Sequence, residues 1–202
     1  MTTGRGFASP LRVLPNLLSG ARLVSVPVLA VLAVAGEERV FAWWLVAAML
    51  TDAFDGWIAR GFHVKTKLGA FLDSVADSAL TLVTVYGVWV FHRDVITGHA
   101  LLCSLAVGLW ALEMLLSLAR YGRLSSFHTY LSKASGVLLG IYFGVLFVIG
   151  HQPWLFYLAM AVTIAGSLEE ILLLAMIREW RADVRGLWWF LRSPPGGRRE
   201  SR

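Results

Sequence analysis

The sequence predicts an all-α integral membrane protein with six transmembrane helices and a short interfacial helix at the N-terminus. Three observations predict it. Of 202 residues, 57% are hydrophobic and only 15% charged, and the mean hydropathy of +0.67 is far above that of a water-soluble domain. Apolar runs approaching the ~20 residues that cross a bilayer recur along the chain. Basic residues fall between those runs and in the tails, which is the membrane pattern rather than a nucleic-acid-binding face.

The runs cover roughly 16–36, 39–60, 68–91, 98–120, 131–150 and 154–177. No polar stretch between them is long enough for a second domain, so residues 1–202 are expected to form one membrane-embedded domain. Residues 1–15 form its interfacial entry, where Pro10 and Pro15 bracket Leu11, Val13 and Leu14. Residues 178–202 form a basic tail in which Trp188, Trp189 and Phe190 mix with arginine. Arg5, Arg12 and Arg22 are too spread for a signal peptide, so the first run is expected to be retained. Cys103, alone in an apolar run, is expected to pack.

Positive residues mark the cytoplasmic side of short loops. One side collects Arg60, Lys65, Lys67, Arg120, Arg123, Lys133 and both tails; the other holds only Arg39 and Arg93. This puts both termini, and the connections after the second and fourth spans, in the cytoplasm of a multi-pass cell-membrane protein. Trp43, Trp44 and Trp154 near span ends read as interfacial anchors.

Ionisable residues inside a bilayer are costly and mark function. Asp52 and Asp55 close the second run, and Asp73 and Asp77 open the third. On helices these spacings place each pair on one face, and the short connection makes the two helices antiparallel neighbours with all four carboxylates at similar depth. Crowded carboxylates repel, and divalent cations, magnesium or manganese for an all-oxygen set, resolve that conflict. Gly56, Ala59 and Gly69 leave room for a diphosphate beside the carboxylates, and Arg60 adds a cationic fork.

These residues spell D-x2-D-G-x2-A-R-x8-G-x3-D-x3-D across 52–77, which resembles the signature of the CDP-alcohol phosphotransferase family. Pro15-Asn16-Leu17-Leu18 followed by Arg22 is similar to that family's entry into its first span. The resemblance implies a metal-dependent transferase, commonly a homodimer, that moves a phosphatidyl group from CDP-diacylglycerol to a small polar alcohol and releases CMP. It implies that Asp52, Asp55, Asp73 and Asp77 hold two divalent ions, that Asp77 takes the acceptor's proton, and that the donor nucleotide lies by Gly56, Ala59, Arg60 and Gly69. Lys133 resembles a basic position that meets an acceptor phosphate. Ser132-Lys133-Ala134-Ser135-Gly136 stands where glycerol-phosphate-accepting members carry Gly-Lys-x-Lys-Thr, which leaves the acceptor open, with glycerol 3-phosphate first and inositol phosphate next.

Other polar residues carry less. Glu113, Glu169 and Glu170 interrupt apolar runs and are expected to line a polar cavity or to pair with Arg120, Arg178 or Arg181; His128 reads as a surface residue. The competing function is an intramembrane divalent-cation transporter, which generally needs polar groups through the membrane depth.

Overall fold

A computed structural model of the chain describes residues 14–62, 67–122, 129–177 and 186–192. Eight helices run through them: α1 (Leu14–Ala35), α2 (Glu38–Phe62), α3 (Lys67–Phe91), α4 (Arg93–Gly98), α5 (Ala100–Tyr121), α6 (Tyr130–Val148), α7 (Pro153–Met176) and α8 (Leu187–Arg192). The six long helices overlie the six apolar runs. By length and composition α5, α6 and α7 are able to cross a membrane; α1 and α3 carry shorter apolar stretches, Arg22–Ala35 and Ser78–Phe91. The expected interfacial helix lies outside the described residues except for Leu14 and Pro15, which belong instead to the first turn of α1. Proline is tolerated there because its missing N–H would have had no intrahelical partner.

The pattern of burial is that of a protein dissolved in lipid. Apolar side chains such as Val31, Val34, Leu82, Leu101 and Leu115 are exposed, while Arg22, Thr84, Glu113, Ser117, Ser167 and Glu170 are buried. Hydrocarbon offers no partner to a polar group, so such groups turn inward.

The helices fall into two compact units. In the first, α1 packs on both α2 and α3. A Schellman turn joins α1 to α2: the Gly36 N–H donates to the Ala33 carbonyl at 3.2 Å and the Glu37 N–H to that of Leu32 at 3.0 Å. Gly36 has φ 76°, the left-handed conformation that glycine adopts without a Cβ penalty. Toward the same end, the Phe41 ring of α2 reaches across to α3, where a β-carbon on Gly87 would overlap it. That ring is fully buried and held between Phe91 and Phe147, with centroids at 5.5 and 4.9 Å.

The second unit contains α5, most of α6, α7 and α8. Thr129 caps α6, its Oγ1 accepting the Ser132 N–H at 3.1 Å. Gly166 of α7 lets the α6 backbone come close, with Ser132 N 3.5 Å from where a β-carbon would sit. Tyr142 donates to or accepts from His151 Nδ1 at 3.0 Å. The Tyr121 hydroxyl donates to the Ile177 carbonyl at 2.5 Å, closing a small core of Leu173, Leu174 and Ile177.

Candidate active site

Three buried stripes converge in the first unit. On α1 the stripe runs through Arg22, Leu29 and Ala33; on α2 through Phe41, Leu45 and Ala48; on α3 through Ala76, Leu80, Thr84 and Val88. Continued at three- and four-residue steps, the α2 stripe arrives at positions 52 and 55, and the α3 stripe reaches back to 77 and 73. By helical register alone the aspartate positions continue these stripes, in the last turns of α2 and the first turns of α3.

Their levels match as well. At 1.5 Å per residue, Asp52 lies about 15 Å before Phe62 and Asp77 about 15 Å after Lys67, while Asp55 and Asp73 lie about 10 Å from those same ends. Gly56, Ala59 and Arg60 follow within the next two turns of α2, and Gly69 precedes Asp73 by one turn on α3. The side chains of all eight signature residues lie outside those described. An all-carboxylate donor set at two matched levels fits magnesium or manganese, which take oxygen ligands.

Thr51, beside the first aspartate, turns its hydroxyl into its own helix, donating to the Ala47 and Ala48 carbonyls at 2.7 and 2.9 Å. It is thereby satisfied locally. Arg22 was legible in the sequence only as part of an entry motif; its burial at 1% exposure was not. The signal was present, since Arg22 interrupts an apolar run just where a lipid-facing position would exclude a charge.

In the second unit, Lys133 lies exposed in the first turn of α6, its N–H donating to the Thr129 carbonyl at 3.0 Å. Arg120 ends α5 and is exposed. Glu113 and Glu170 are buried neighbours of one another rather than partners of Arg120. Glu169 Oε1 accepts the Leu187 N–H at 2.8 Å, so it serves the start of α8. Arg123, His128, Arg178 and Arg181 lie outside the described residues.

A family model described as CDP-alcohol phosphatidyltransferase matches residues 12–165, taking in α1 to α6 and the first half of α7. The chain belongs to that family. Among its relatives, a probable phosphatidylglycerophosphate synthase of Mycobacterium tuberculosis is 45% identical over 73 residues, 33% of this chain and 35% of that protein. A CDP-diacylglycerol--glycerol-3-phosphate 3-phosphatidyltransferase of Salmonella choleraesuis is 39% identical over 75 residues, 36% of this chain and 41% of the relative. A cardiolipin synthase (CMP-forming) / mitochondrial hydrolase fusion protein of Schizosaccharomyces pombe is 37% identical over 103 residues, 49% of this chain and 17% of that protein. Each match thus spans less than half of the relative's own length. No solved structure matches the chain.

Proposed function

We propose that this CDP-alcohol phosphatidyltransferase family member transfers the phosphatidyl group of CDP-diacylglycerol to a small polar alcohol, with glycerol 3-phosphate as the first candidate acceptor. The observation that carries it is the complete signature set, at matched levels along α2 and α3. The names of the Mycobacterium and Salmonella relatives favour glycerol 3-phosphate over inositol phosphate. Carboxylates gathered near one end of two helices suit chemistry at a surface better than an ion path through the bilayer, which disfavours a transporter.

In this reaction the acceptor's hydroxyl oxygen bonds to the phosphorus that bears diacylglycerol, the bond from that phosphorus to CMP breaks, and CMP leaves with the bonding pair. Asp77 takes the hydroxyl proton as general base. Gly56 and Ala59, lacking bulk, admit the nucleotide to the α2 backbone, and Arg60 pairs with its phosphate. Asp52, Asp55, Asp73 and Asp77 would hold two divalent cations, which when bound neutralise the diphosphate and the departing charge. The same proposal places six spans in the cell membrane, with both termini and the site on the cytoplasmic face, in a homodimer.

Purified protein supplied with CDP-diacylglycerol, magnesium or manganese, and a panel of alcohols tests the proposal through CMP release. Turnover with glycerol 3-phosphate that Asp77→Asn abolishes is expected. Absence of metal-dependent CMP formation with every acceptor refutes it.

A further inference from the structure

Among the described residues, Arg22 is the largest fully buried side chain of the first unit, at 1% exposure. It lies on the same α1 face as buried Leu29 and Ala33, and that helix packs on both α2 and α3. Measured down from the Gly36 turn, Arg22 lies about 20 Å along α1 and Asp52 about 20 Å along α2. Asp77 shares the level of Asp52 on α3. A guanidinium cannot lose its charge, and burying it requires an anion. Within residues 1–96 the only acidic residues besides the four aspartates are Glu37, Glu38 and Asp94. All three sit toward the opposite ends of α1, α2 and α3, where Glu38 meets His92 at 3.2 Å.

We propose that Arg22 is a positioning residue: the built-in counter-cation of the aspartate cluster, which holds the carboxylates together while no metal is bound and yields their negative charge to the ions that load. The proposal rests on the aspartates being the metal site inferred above. Burial keeps Arg22 from contacting substrate, so its effect passes through the carboxylates. Two consequences distinguish this role from packing. Removing the charge destabilises the metal-free protein more than the metal-loaded one, because divalent ions replace the missing cation. By the same linkage, removing it tightens metal binding.

The test compares wild type, Arg22→Gln and Arg22→Lys in detergent, reading the thermal midpoint without metal and with manganese, and manganese affinity by electron paramagnetic resonance. Manganese should raise the Arg22→Gln midpoint by about 5 °C more than that of wild type, with several-fold tighter binding, and Arg22→Lys should stay within about twofold of wild-type affinity. A wild type that neither binds manganese nor gains stability from it refutes the metal site itself. Metal binding by wild type with an equal gain in Arg22→Gln overturns the counter-cation role alone. An Arg22→Lys affinity shifted well beyond twofold overturns it too, and this variant decides the matter if Arg22→Gln does not fold.

Discussion

Replacing Gly87 with alanine isolates the contact between α3 and the Phe41 ring of α2. An added β-carbon overlaps the Phe41 ring, and that ring has no room to retreat: it is fully buried, with Phe91 and Phe147 centroids at 5.5 and 4.9 Å. Overpacking of this kind costs ~1–3 kcal/mol. Alanine in mid-helix returns ~1 kcal/mol through propensity, so the net loss is about 0–2 kcal/mol, or up to about 8 °C in thermal midpoint for a chain of this size. Differential scanning fluorimetry of detergent-solubilised protein measures it directly. Combining Gly87→Ala with Phe41→Leu should recover part of the loss, since the two side chains compete for one space. A midpoint that rises in the single variant, as helix propensity alone would give, refutes the close approach.

Asp77→Asn should lower CMP release by ~10²–10⁴-fold, the usual worth of a general base, with purified yield and thermal midpoint showing that the variant still folds. Stripping divalent ions with EDTA should abolish turnover, and magnesium or manganese should restore it; activity that survives chelation would remove the metals from the reaction. Thr129→Ala deletes the side-chain bond to the Ser132 N–H at 3.1 Å and should cost ~0.5–2 kcal/mol, read as a lowered midpoint. Tyr121→Phe removes the hydroxyl bonded to the Ile177 carbonyl at 2.5 Å and should cost ~1 kcal/mol by the same measurement.

Much of the fold was legible because lipid imposes a simple code. Runs of apolar residues long enough to approach a bilayer's thickness became α1, α2, α3, α5, α6 and α7 within a few residues at either end. The shortfall lies in which helices meet. The short connection between the aspartate pairs suggested that α2 and α3 are antiparallel neighbours but not that, among the described residues, α1 packs more extensively on each of them. Linear spacing reports who is adjacent along the chain but not which third element fills a groove.

Within the site, helical periodicity predicted that each aspartate pair shares a face, and both pairs fall within the helices α2 and α3 that this periodicity requires. Arg22 escaped because a charge near the start of a span reads equally well as an interfacial anchor; only burial separates the two. Glu113 and Glu170 were expected to line a polar cavity or to pair with Arg120, Arg178 or Arg181, the last two of which lie outside the described residues. The two glutamates adjoin each other because α5 and α7 pack together, a pairing of helices remote in sequence that no local pattern encodes.

The turn at Gly36 has a reach beyond its own few atoms. It ties two rods together at one end, so their relative slide there is carried down to the level where positions 22 and 52 each lie about 20 Å from the turn. A single residue inserted between Glu38 and Asp52 would swing everything below it by about 100° and lower it by about 1.5 Å. The ruler for the chemistry proposed at one end of these helices is therefore kept at the other, and an error in its length should surface as lost turnover.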